Sequence, residues 1–65
     1  MVYAVLDLTT NDYYNRCIFT NEKKAKDVIF VLGQFPPNIK EQFCVVEVDE
    51  RTATSLIERD FYRLV

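Results

Sequence analysis

The chain opens on a largely apolar segment that divides into two faces under period-two reading. Val2, Ala4, Leu6 and Leu8 lie on one side of an extended segment and Tyr3, Val5 and Asp7 on the other, so period-two reading predicts a first strand over residues 2–8. Its even-numbered face is wholly apolar and is the expected core face. Thr9, Thr10, Asn11 and Asp12 form a turn-rich stretch, and Tyr14 to Phe19 reads as a second, antiparallel strand closing a hairpin. The period then changes. Ala25, Val28, Ile29 and Leu32 recur at helical spacing, with Thr20 as the expected N-cap and Gly33 where a helix stops.

A loop containing Pro36 and Pro37 follows, and Phe43-Cys44-Val45-Val46-Glu47-Val48 reads as a third strand. Asp49 is placed to cap a short second helix carrying Ala53, Leu56 and Ile57. The end of the chain fits a short edge strand over residues 61–65, with continuation of the helix to Leu64 as the alternative. The order is β-β-α-β-α-(β). It defines a single α+β domain over residues 1–65, with a small, mainly antiparallel sheet of three to four strands. One main helix and a short second helix are expected on one face of that sheet.

Composition narrows the function classes. With 49% hydrophobic and 28% charged residues, the 65-residue chain has the balance of a globular domain, not of a disordered one. Eight basic and ten acidic residues leave a formal charge of −2, which argues against binding nucleic acid by bulk electrostatics. The longest uncharged stretch, residues 28–39, is interrupted by Gly33, Pro36 and Pro37, and a membrane span needs about 20 apolar residues. A cytoplasmic protein is the expectation. A domain this small builds a marginal core and often depends on a disulfide, a metal or a partner. Cys17 and Cys44 can join only if their strands are neighbours, and two reduced, packed thiols are expected. Two Cys without His make no zinc site. A partner is therefore the expected aid, and no cofactor or metal is expected.

Catalytic chemistry finds little to work with. Without His there is no Ser-His or Cys-His pair, and the single glycine, Gly33, excludes a glycine-rich phosphate loop. Asp7, Glu47, Asp49 and Glu50 converge as an acid pair or a cation site only if the first and third strands bring them together. The simpler expectation is that Asp7 and Glu47 solvate strand ends while Asp49 and Glu50 favour a helix N-terminus. No enzymatic activity is expected.

Apolar residues in surplus are the more informative feature. Residues 28–32 of the first helix are apolar all round, so Phe30 and Val31 point away from the sheet, and Phe35 and Ile39 follow in a loop. Behind the expected core faces lie Tyr3 and Val5 on the first strand and Phe43 and Val45 on the third. These two sets are the candidate protein-binding residues. Lys23, Lys24 and Lys26, with Arg16 and Tyr14, form an alternative site for nucleic acid or another anion.

The run Ile18-Phe19-Thr20-Asn21-Glu22-Lys23-Lys24-Ala25, with the Val2-Tyr3 opening and Val45 to Asp49, resembles short bacterial and bacteriophage β-β-α-β proteins across residues 1–50. The resemblance implies a compact accessory protein of a phage or mobile element and brings no catalytic residues. Together these readings give an expected function: a non-enzymatic protein-binding module that modulates or inhibits a host protein by surface occlusion. A nucleic-acid or anion binder and a structural homodimer are the alternatives. The partner is a protein, either a host protein or a second copy, with no membrane involved.

Overall fold

The computed structural model describes residues 1–65 and has the α+β architecture anticipated from the pattern. Strand β1 spans Val2–Asp7 and β4 spans Phe43–Val48, and the two pair antiparallel over their whole lengths, from Val2 opposite Val48 to Asp7 opposite Phe43. Between them in sequence come β2, Asp12–Tyr13, β3, Cys17–Ile18, and helix α1, Glu22–Leu32. Helix α2 covers Glu50–Arg59, and β5, Arg63–Leu64, ends the order. The strand order is β2-β1-β4, with β3 and β5 forming a parallel pair.

The expected second strand is present but broken. Residues 14–16 form a 3-10 turn between β2 and β3, with Asn15 and Arg16 at positive φ. The chain rejoins β1 beyond the break, where Tyr3 and Phe19 exchange both backbone bonds at 3.0 and 2.7 Å. This bridge links the β3–β5 pair to the main sheet. The last segment is an edge strand, not a helix. Tyr62 N–H bonds back to Leu56 C=O across Phe61, which adopts a left-handed conformation at φ 58° and turns the chain into β5. The Val65 amide then donates to Ile18 C=O, and the Thr20 amide to Val65 C=O.

The expectation of both helices on one face is corrected. α1 covers one face of the sheet, where Val5, Cys17, Phe19, Ala25 and Phe43 are buried together and Val28, Ile29 and Leu32 pack against them. α2 covers the other, where Ala4, Ile18, Val48 and Ala53 are buried with Val2, Val46, Leu56, Ile57 and Tyr62 alongside. β1 is thus enclosed on both faces, and Ala4 and Val5, its neighbouring residues, are each fully buried. Leu8, assigned to the core face from its alternation, lies beyond the strand end and is exposed.

Both helices begin on side-chain caps. Asn21, not Thr20, caps α1, its Oδ1 accepting from the Lys24 amide at 2.9 Å. Asp49 caps α2 in the same way through the Thr52 amide at 2.6 Å. Gly33 ends α1 in an ordinary helical conformation at φ −65°, so left-handed freedom is not its role. Its role is close approach: a Cβ there would stand 3.0 Å from Lys40 Cβ and 3.1 Å from Lys40 N. No helix is long and apolar enough to cross a membrane.

Candidate protein-binding surface

Helical geometry decides which side chains of α1 are left outside. Ala25, Val28, Ile29 and Leu32 turn toward the sheet, so Phe30 and Val31 are carried to the outer side, where they are 67% and 52% exposed. The chain then stays close to the helix end. The Gln34 amide donates to Val31 C=O, the Phe35 amide to Leu32 C=O and the Asn38 amide to Phe35 C=O, before the backbone returns past Gly33 at Lys40. This compact loop leaves Phe35 and Ile39 exposed at 62% and 58%. Beside it on α1 runs a shallow, mainly apolar groove of about 300 Å³, lined by Tyr14, Asp27, Val28, Val31 and Leu32.

The second half of the expected protein-binding set is corrected. Val5 and Phe43 are buried beneath α1, and Tyr3 and Val45 pack against the same cluster. The face they share is closed by the main helix, so it is no open patch. A signal for this is present in the sequence. Val2 to Leu6 and Phe43 to Val46 are unbroken apolar runs, as expected of strands covered on both sides, where a one-sided sheet alternates with polar residues. A separate exposed group that periodicity does not reveal lies near the end of the chain: Phe61, Leu64 and Val65.

The basic residues are largely engaged along their own helix. Lys23 Nζ pairs with Asp27 at 2.9 Å and Lys26 Nζ with Glu22 at 3.1 Å, both exposed i,i+4 pairs, and Lys24 Nζ donates to Thr20 Oγ1 at 3.4 Å. Tyr14 is half-buried, its ring edge-to-face with Phe43 at 6.1 Å, which removes it as a free stacking platform. Arg16 is exposed on the turn that interrupts the second strand.

The carboxylates stay apart. Asp7 stands opposite Phe43 and Glu47 opposite Tyr3, four ladder positions away, or roughly 13 Å along the strands. Asp7 accepts from the Thr9 hydroxyl at 2.6 Å, the Thr9 amide at 2.9 Å and Gln42 Nε2 at 3.3 Å. The Thr9 hydroxyl is the main reason its carboxyl lies below the usual aspartate range. The Thr52 amide does the same for Asp49. Burial pushes the Tyr62 phenol above its ordinary value, helped by the charge of Asp12. Both cysteines are free thiols. Cys17 belongs to the α1 side, and alternation along β4 turns Cys44 the other way, on a strand that β1 separates from β3.

No known protein family, curated protein or solved structure matches the chain.

Proposed function

We propose that this chain is a non-enzymatic protein-binding module, an accessory protein of the phage or mobile-element type that modulates or inhibits a host protein by occluding its surface. The observation that carries the reading is the exposure of Phe30, Val31, Phe35 and Ile39 on α1 and the compact loop that follows it. Large apolar side chains held out on a helix end and a self-bonded loop lose little further freedom on binding, and aromatic anchors supply most of an interface's energy. The adjoining groove along Val28, Val31 and Leu32 offers a recess for a partner's own apolar side chain. The local engagement of Asp7 and Asp49 in a turn and a cap supports the non-enzymatic part of the reading. A host protein as target rests on the resemblance of residues 1–50 alone.

Affinity capture from host extract with the wild type and three variants of the chain tests the proposal. A protein retained by the wild type is expected to be lost with Phe30→Asp and with Phe35→Asp. It should be kept with Glu58→Lys, a change on exposed α2. Retention by all three variants, Phe30→Asp and Phe35→Asp included, would remove the α1 surface as the binding site.

A further inference from the structure

β4 is the outer strand of its sheet, and no backbone hydrogen bond reaches its outer edge from another part of the sheet. The direction of each peptide group follows from its neighbours. Tyr3 exchanges both backbone bonds with Phe19, and the Leu8 amide donates to Gln42 C=O at 2.8 Å. Alternation along β1 therefore aims the peptide groups of Val2, Ala4 and Leu6 at β4, where they meet Val48, Val46 and Cys44. The intervening residues Phe43, Val45 and Glu47 turn theirs outward. The Phe43 amide is taken by Lys40 C=O in the preceding turn. What remains on the edge is the C=O of Phe43 and both groups of Val45 and of Glu47.

Exposed strand edges are ordinarily blunted by proline, lysine, a bulge or short length. β4 has no proline, lysine or bulge, and Glu47 is its single charge: it runs Phe-Cys-Val-Val-Glu-Val and pairs with β1 in unbroken register over six residues. The geometry points to a second copy of the chain as the occupant of this edge, its β4 running antiparallel about a two-fold axis at Val45. In that register Val45 exchanges both backbone bonds with Val45 of the second copy. The Glu47 amide of each copy donates to Phe43 C=O of the other. The set of outward groups is thus its own complement. The donor missing at Phe43 leaves only Glu47 C=O unmatched, at an exposed residue that water reaches.

The side chains agree with this register. A two-fold axis perpendicular to the sheet keeps Phe43 and Val45 on the α1 side in both copies, so the two sheets join with their helices in matching layers. Glu47 faces Phe43 across the seam, and like charges are not opposed. The edge is separate from Phe30 and Phe35, so the pairing does not depend on the binding surface proposed above.

The test is the mass in solution from low micromolar to millimolar concentration, in reducing buffer, for the wild type and for a synthetic chain bearing an N-methyl group on Val45. The methyl removes an outward donor and leaves every bond to β1 in place. Wild type is expected to reach twice 7.7 kDa, with dimerisation weakened by ~30-fold or more in the methylated chain because symmetry removes the bond twice. A wild type that stays monomeric overturns the inference, as does a methylated chain that dimerises equally well. Should methylation unfold the chain, amide exchange of the wild type decides. The Val45 and Glu47 amides must then gain protection with concentration, and exchange independent of concentration overturns the pairing.

Discussion

α1 and α2 lie on opposite faces of one sheet and close their cores in the same way, with an alanine at the point of deepest burial: Ala25 on α1 and Ala53 on α2. They differ in what they leave outside. Arg51, Thr54, Ser55, Glu58 and Arg59 line the outer side of α2, without a hydrophobic residue among them. α1 carries Phe30 and Val31 outward and passes directly into a loop with Phe35 and Ile39. α2 shows what this fold needs from a covering helix, namely one apolar stripe and a solvated back. Measured against it, the outward residues of α1 are additional to the requirements of the core, which is the ground for the binding role proposed above.

Charging one residue on each side of α1 has the largest expected effect. Val5→Asp buries a carboxylate with no partner at a fully buried position, a cost of several kcal/mol that exceeds the margin of a small domain. Circular dichroism is expected to show an unfolded chain. Phe30→Asp alters only exposed surface and is expected to shift stability by no more than about 0.5 kcal/mol in urea titration. An unfolded Phe30→Asp chain would place that residue in the core and end the distinction between the two helices.

Three changes at the ends of the helices and at the final turn are each worth about 1 kcal/mol. Asn21→Ala and Asp49→Ala each remove the side-chain acceptor of an N-cap, and each is expected to cost about 1 kcal/mol in chemical denaturation. Equal costs would show both helices to be comparably coupled to the fold, so that the surplus on α1 is not compensation for a weak start. Phe61→Gly is expected to stabilise by about 1 kcal/mol, because an exposed aromatic residue at φ 58° occupies a position that glycine takes without strain. A rise in melting temperature checks this.

The smallest effects are those of pH. Asp7 and Asp49 have folded values below the unfolded one of 3.8. Their contribution is therefore complete above that value and is lost as pH falls through the folded values. Tyr62 is raised above 10.0, so its contribution is complete below pH 10.0 and disappears as pH rises through the folded value. Tyr62→Phe is expected to flatten the alkaline limb of a melting-temperature profile while leaving the acid limb unchanged.

Much of this fold was legible where long periodic segments meet local stop signals. β1, α1, β4 and α2 follow from alternation, helical spacing and the Gly33 and Asp49 boundaries. The break at Tyr14 to Arg16 was not legible, because two consecutive non-glycine residues at positive φ leave no compositional mark. The placement of the helices was misread for a different reason. Period-two reading made Val2, Ala4 and Leu6 the only core face and left Tyr3-Val5 and Phe43-Val45 as an open apolar back, whereas α1 covers those rows and leaves Glu47 exposed at their margin. Of the candidate site, Phe30 and Val31 lie on the surface where helical spacing places them, and Phe35 and Ile39 in the exposed loop beyond Gly33, since both inferences need only local geometry. Tyr3, Val5, Phe43 and Val45 depended on how the layers stack.

The meeting of Gly33 with Lys40 also separates the loop's sequence from the fold's integrity. Because its two ends are held together by the frame, residues 34–39 form a cassette whose entropy of closure rises by only ~0.6 kcal/mol for each doubling in length. Residues within the cassette can change, and even change in number, while the sheet and both helices persist. A chain built this way can vary the surface of this loop without altering its shape, and other segments can be placed between Gly33 and Lys40 without redesigning the core.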